Sequence, residues 1–172
     1  MIAVRIRPAE AQDDSAIGEL WVESFVSTYA RKMPEVVVTE SRKADLRNVA
    51  EKRARACVLV AERDGEIAGA VALFRPGSPA SKSWLANAAD LRYLAVSPKF
   101  HGQGIAPLLL DETERLAREW AVDAITLHVR RGAHGVAKLY TARGYVRAPD
   151  GDRDQLPEIY LEGHILEMHD KK

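Results

Sequence analysis

At 172 residues the chain suits one domain built around a single sizeable core. Its 25 Lys and Arg balance 25 Asp and Glu, which leaves no net charge to favour nucleic acid or an anionic membrane. The one cysteine, Cys57, excludes an intrachain disulfide framework and fits a reducing cytoplasm; within Cys57-Val58-Leu59-Val60-Ala61 it reads as a buried, inert thiol.

Ile2-Ala3-Val4-Arg5-Ile6-Arg7-Pro8 alternates apolar and polar residues and predicts a first strand. Arg5, Arg7 and Glu10 leave no room there for a signal peptide's apolar region, and no apolar run approaches membrane-spanning length. The expectation is a cytoplasmic protein with no membrane partner. Asp13-Asp14-Ser15 offers N-cap residues for a helix through Tyr29, with Ile17, Leu20, Trp21, Phe25 and Tyr29 at helical spacing. A second helix is predicted from Thr39 to Arg55, its mixed charges forming a solvated face. Val58–Val60 and Ile67–Phe74 predict a hairpin around Arg63-Asp64-Gly65-Glu66. Arg75–Ser81 is loop chemistry, too short to read as an interdomain linker.

Asp90–Val96 predicts the fourth strand, and Gly104–Trp120 a helix with Ile105, Leu108, Leu109, Leu116 and Trp120 on one side. Pro107 sits in its first turn, where a missing N–H costs little. Ala124–Val129 reads as a fifth strand and Val136–Arg143 as a short helix closed by Gly144. Tyr145–Arg147 and Ile159–Met168 are the last strands, separated by the turn Asp150-Gly151-Asp152-Arg153. The expected fold is α/β (α+β), a single domain over residues 1–172 with a mixed central sheet of about seven strands flanked by about four helices.

The segment Leu94-Ala95-Val96-Ser97-Pro98-Lys99-Phe100-His101-Gly102-Gln103-Gly104-Ile105-Ala106 carries the functional signal. A strand, a turn with two glycines and a helix N-terminus bring bare backbone N–H groups toward a ligand, which suits a phosphate or pyrophosphate. The Rossmann pattern fails because Pro107 stands where its third glycine should be. The Walker A pattern fails because no Gly-Lys-Ser/Thr occurs. What is present resembles the acyl-CoA motif of the GNAT N-acetyltransferase superfamily, [RQ]-x-x-G-x-[GA] after a strand ending L-x-V. Here it reads His101-x-x-Gly104-x-Ala106 after Leu94-Ala95-Val96, with His101 in place of Arg or Gln. Leu139-Tyr140-Thr141-Ala142-Arg143-Gly144-Tyr145 resembles the L-Y-x-x-x-G-[FY] signature, and the order of elements along nearly the whole chain is that of the family.

The resemblance implies acetyl-CoA as co-substrate, bound by Leu94, Ala95, Val96, His101, Gly102, Gln103, Gly104, Ile105 and Ala106, and direct attack by an amine in a ternary complex. It implies a bulge in the fourth strand that frees backbone N–H groups for the thioester. Tyr140 matches the tyrosine that protonates the leaving thiolate, a phenol near pKa ~10 meeting a thiolate near ~8.5. Asp90 stands where some members carry a catalytic glutamate, one methylene shorter, so a bridging water is expected. Two departures bear on the cofactor: Ala133 and Val136 replace an asparagine and an alanine usual before the tyrosine.

Glu66, His128 and Tyr93 are reserve candidates for the base, although a histidine in mid-strand is more often a satisfied polar residue. Arg130 and Arg131 follow the fifth strand and are candidates to meet a CoA phosphate, although exposed arginines usually do nothing specific. His164 and His169 have no partners at ligand spacing, so no metal is expected. The predicted activity is N-acetylation of a small-molecule primary amine, with Trp21, Phe25, Tyr29 and Met33 as candidate acceptor-lining residues. Protein N-terminal or lysine acetylation and a non-catalytic acyl-CoA-binding module are the alternatives. A homodimer is left open, and no nucleic-acid partner is expected.

Overall fold

The structure, a computed structural model, describes residues 3–32, 37–156 and 159–168. The predicted strand residue Ile2, the acceptor candidate Met33 and His169 lie outside them. In chain order the described residues form β1 (Arg5–Pro8), α1 (Asp14–Lys32), α2 (Glu40–Arg47), α3 (Val49–Arg55), β2 (Ala56–Arg63), β3 (Glu66–Phe74) and β4 (Ala88–Val96). Then come α4 (Ile105–Glu119), β5 (Ala124–Arg130), α5 (His134–Ala142), β6 (Val146–Arg147), β7 (Arg153–Leu156) and β8 (Ile159–Glu167). The strands follow the order β1-β2-β3-β4-β5-β8-β6, with β7 also on β8. β4 and β5 run parallel, whereas β1–β2 and the pairs made by β8 are antiparallel.

The expected class is therefore observed, with one more helix and one more strand among the described residues. The predicted helix 39–55 breaks at Asn48, whose ψ of 65° is not helical. The extra strand is β7, whose polar Arg153-Asp154 start carries no alternation to read. It joins through backbone pairing to β8.

Two compact units divide the chain: Met1–Leu73 with Tyr93–Thr113, and Phe74–Arg92 with Glu114–Lys172. In the first, Ile17 and Trp21 of α1, Leu46 of α2, Leu59 and Val60 of β2, and Leu109 and Leu110 of α4 are buried. The stripe on α4 is turned from the predicted one: Leu110 is buried and Leu108 is 40% exposed. Gly69 of β3 explains how closely α4 settles. A Cβ there would lie 3.0 Å from Ile105 Cγ2 and 3.1 Å from Leu109 Cδ1. The β2–β3 hairpin closes through Asp64 and Gly65, both at positive φ (54° and 74°), the pair of conformations a two-residue hairpin turn needs.

In the second unit β5 is the central strand, parallel to β4 over three residue pairs and antiparallel to β8 over seven. Its near-continuous burial follows from having a neighbour on both edges. Tyr140 of α5 packs edge-on against Tyr145, ring centroids 5.4 Å apart, and both are buried. Gly144, at φ 102°, ends the helix between them as its sequence position predicts.

Candidate functional site

The glycine turn lies in the first unit and is built from backbone. β4 carries Tyr93 at φ 63°, a left-handed conformation that a bulky residue adopts only when its surroundings enforce it. The enforcement is visible. The Tyr93 ring lies against buried Trp21 at a centroid distance of 4.9 Å, and the Lys52 Nζ sits 5.5 Å from its centre. This break in the pleat immediately precedes Leu94-Ala95-Val96. Beyond them Ser97 N–H donates to Ala68 O (2.8 Å), and the His101 ring donates through Nε2 to Val96 O (3.0 Å). His101 thus braces the ends of the turn with its ring.

Gly102 and Gly104 stand at φ 77° and 75°, and α4 begins at the next residue, Ile105. A Cβ at either glycine would meet nothing within 4 Å, so conformation demands glycine here, not crowding by the protein. An open side beside the first turn of a 15-residue helix is the kind of arrangement in which backbone N–H groups receive an anion. Pro107 falls inside that turn, as predicted.

The two residues predicted to be catalytic, Tyr140 and Asp90, lie in the second unit. Tyr140 is 5% exposed, and burial pushes its phenol above the ordinary value near 10. It stays protonated at any working pH, the state a proton donor requires. Asp90 is 0% exposed and is the last residue of β4 paired with β5, opposite Thr126. Its Oδ2 accepts Lys82 N–H at 2.8 Å, while Oδ1 has no hydrogen-bond partner among the described residues. Burial raises this carboxyl to about 6 against the pull of the Lys82 N–H and the charges of Arg92, Lys82 and Arg153. Tyr140 and Asp90 are not brought into contact: one packs on Tyr145, the other holds the loop at Lys82.

Sequence reading named His128 only as a reserve candidate for the base and passed over Trp84 and Gly151 beside it. His128 of β5 is half-buried, its Nε2 2.8 Å from Gly151 O and its ring edge-on to Trp84 at 5.5 Å. A Cβ on Gly151 would lie 2.3 Å from the Trp84 ring, so glycine is required where the tryptophan rests. The loop carrying Trp84 is pinned by Asp90 and by successive serine turns, Ser81 Oγ accepting from Ser83 N–H and Ser83 Oγ from Leu85 N–H. No local motif announces this cluster, since its members come from four segments of the chain.

The remaining candidates are placed elsewhere. Trp21 is 0% exposed, a core residue under Tyr93, and Phe25 stacks under the Arg42 guanidinium. Glu66 pairs with Lys99 at 2.7 Å, and Arg131 with Glu162 and the Tyr160 ring. A polar hollow of about 410 Å³ in the first unit is lined by Arg7, by its two ion-pair partners Asp13 and Glu62, and by Glu66. Among the described residues no three His, Cys, Asp or Glu side chains gather as a metal site, and no helix is long and apolar enough to cross a membrane.

Solved structures show the same fold at low identity. An acetyltransferase of the GNAT family from Staphylococcus aureus Mu50 superposes with TM-score 0.75 at 16% identity, covering 97% of this chain and 100% of its own. The structure of yncA from Salmonella typhimurium with its cofactor acetyl-CoA gives 0.68 at 20%, covering 98% and 96%. PaiA N-acetyltransferase from Thermoplasma acidophilum, in complex with coenzyme A, gives 0.68 at 19%, covering 94% and 98%. No curated protein matches the sequence. The family model for the acetyltransferase (GNAT) family matches residues 15–145, most of the chain, including the glycine turn and the Leu139–Tyr145 signature. The chain belongs to the acetyltransferase (GNAT) family.

Proposed function

We propose that this acetyltransferase moves the acetyl group of acetyl-CoA to the primary amine of a small molecule by direct attack, residues 1–172 acting as one domain. The observation that carries the reading is the turn at Gly102 and Gly104, two left-handed glycines leading into α4 directly after the broken pleat at Tyr93. Such a turn receives a pyrophosphate through backbone N–H groups and the helix dipole. The Salmonella and Thermoplasma structures of the same fold hold acetyl-CoA and coenzyme A, which supports this donor.

The chemistry has three demands. The amine must lose a proton, the carbonyl oxygen must be stabilised as negative charge develops, and the departing thiolate must gain a proton. Backbone N–H groups of Leu94–Val96 are assigned to the thioester and pantetheine. Tyr140 is assigned to the thiolate: burial keeps the phenol protonated and also weakens it as an acid, so transfer requires direct contact with the sulfur. Asp90 is assigned to the acceptor's proton. At 0% exposed it acts through the groups it holds instead of touching the amine.

The test is thiol release from acetyl-CoA with a panel of small amines, amino acids and peptides bearing a free N-terminus or lysine. Turnover with a small amine supports the reading, and turnover with peptides alone moves it to a protein acceptor. Tight CoA binding without turnover on any of them makes the protein a binding module.

A further inference from the structure

We propose that His128 is the proton acceptor for the amine, the accessible basic group of a cluster whose buried member, Asp90, is a positioning residue. The inference rests on the acetyl-transfer reading.

The ring's protonation pattern is set by its partner. Gly151 O can only accept, so the 2.8 Å contact requires the hydrogen on Nε2, and a neutral ring then carries a bare lone pair on Nδ1. The Gly151 carbonyl is itself held in place. Its neighbour Asp152 accepts from Gly163 N–H (2.9 Å), from the Tyr160 hydroxyl (2.7 Å) and from Arg147. Gly163 lies opposite His128 on β8, and where it lacks a side chain the backbone of Ala148 and Gly151 packs in, a Cβ there meeting Ala148 O at 2.7 Å. Burial, and then the positive charges of Arg153 on β7, Arg92 on β4 and Lys82 in the preceding loop, disfavour the imidazolium against the opposing pull of the Gly151 carbonyl, and hold the ring below the ordinary histidine value.

Geometry separates the roles of the two groups. Asp90 is paired in register with Thr126, and Thr126 and His128 are two residues apart on β5, so all three side chains belong to one face of the sheet. On that face Asp90 is sealed at 0% exposed, whereas His128 is half-buried. Asp90 reaches His128 through the chain: its Oδ2 fixes Lys82 N–H, and two residues on Trp84 lies edge-on against the imidazole. The same three cations disfavour an ammonium next to the ring and so favour release of its proton. In the step proposed, the ammonium gives one proton to Nδ1 and the free amine attacks the thioester carbon. The N–C bond forms and the C–S bond breaks. Tyr140 gives its proton to the thiolate, the second amine proton leaves to solvent, from which the phenol is restored, and the imidazolium returns its proton to solvent.

The experiment combines His128→Gln with a ring-nitrogen measurement. Glutamine places an amide N–H where Nε2 stood, preserving the bond to Gly151 but supplying no base. With an amine accepted by the unaltered protein, kcat should fall on the order of 10²-fold at neutral pH while acetyl-CoA affinity is retained. The acid limb of kcat/KM, lying below the ordinary histidine value in the unaltered protein, should disappear in the variant. Nitrogen NMR should show Nε2 protonated and Nδ1 bare. Equal turnover by folded H128Q, or a ring protonated on Nδ1, overturns the inference alone. Absence of thiol release by the unaltered protein with every amine overturns the acetyl-transfer reading beneath it. If H128Q unfolds, His128→Ala with added imidazole replaces it: rescue supports the inference and failure of rescue in the folded variant overturns it.

Discussion

The glycine turn and the cluster around Asp90 and His128 do their work with opposite materials. The turn is contiguous backbone, residues 94–106, and its demands fall on conformation: two glycines at φ near 75° with open space beside them. The cluster is side chains and one carbonyl drawn from a loop, two strands and a short turn, and its demands fall on packing, as where Gly151 lies flat beneath Trp84. The first tolerates exchange of any side chain that does not alter the backbone, which is how His101 can stand where the family motif has Arg or Gln and still brace Val96. The second tolerates little, because each member fixes the next. On the proposed reading the first design holds the donor and the second takes the acceptor's proton.

Breaking the backbone half should give the largest effect. Gly104→Val imposes a β-branched side chain on φ 75° and fills the open face above the turn. Left-handed backbone alone costs such a residue roughly 1–2 kcal/mol, and obstruction of the ligand adds to it. Acetyl-CoA affinity measured by calorimetry on folded variant should drop by more than about 10²-fold. Unchanged affinity would remove the turn from the donor site.

Tyr140→Phe sharpens the comparison by separating binding from chemistry. The ring keeps its edge-on packing against Tyr145, so folding should be little altered. Loss of the hydroxyl should lower kcat on the order of 10²-fold with donor affinity unchanged, since the proton moves only as the thiolate leaves. Equal rates under conditions where chemistry limits turnover would return Tyr140 to the core.

What was legible in the sequence follows the same division. The glycine turn, the helix after it and the hairpin at Asp64-Gly65 could be read because their signals are local and each residue type has one conformational reason to be there. The bulge in β4 was implied only by resemblance, and its residue was not: Tyr93 is held left-handed by Trp21 and Lys52, which no neighbouring residue announces. Gly69 read as an ordinary strand residue because its reason, the approach of α4, is tertiary. His128 read as a satisfied mid-strand polar residue and only in reserve as a base, and the first half of that reading stands. Nε2 is satisfied by Gly151, and it is this bond that leaves Nδ1 bare.

The smallest effect on turnover is expected at Asp90, and it is the one that tests whether a sealed carboxylate positions or reacts. Asp90→Asn retains an oxygen to accept Lys82 N–H, so Trp84 and His128 should keep their places and kcat should fall by less than about tenfold, well short of a lost base. Stability should respond more than rate. The carboxyl is pushed up to about 6 in the folded protein, so its contribution to stability is fully present below about pH 4 and is lost as pH rises through about 6. Ionised at pH 7, it opposes folding by on the order of 3 kcal/mol. Denaturant unfolding of both proteins across pH 4 to 8 should show the variant gaining on the unaltered chain between pH 4 and 6, then running parallel to it above 7. A difference independent of pH would mean that Asp90 does not titrate in that window. A drop in turnover as deep as that of H128Q would make the carboxylate the base and the imidazole its support.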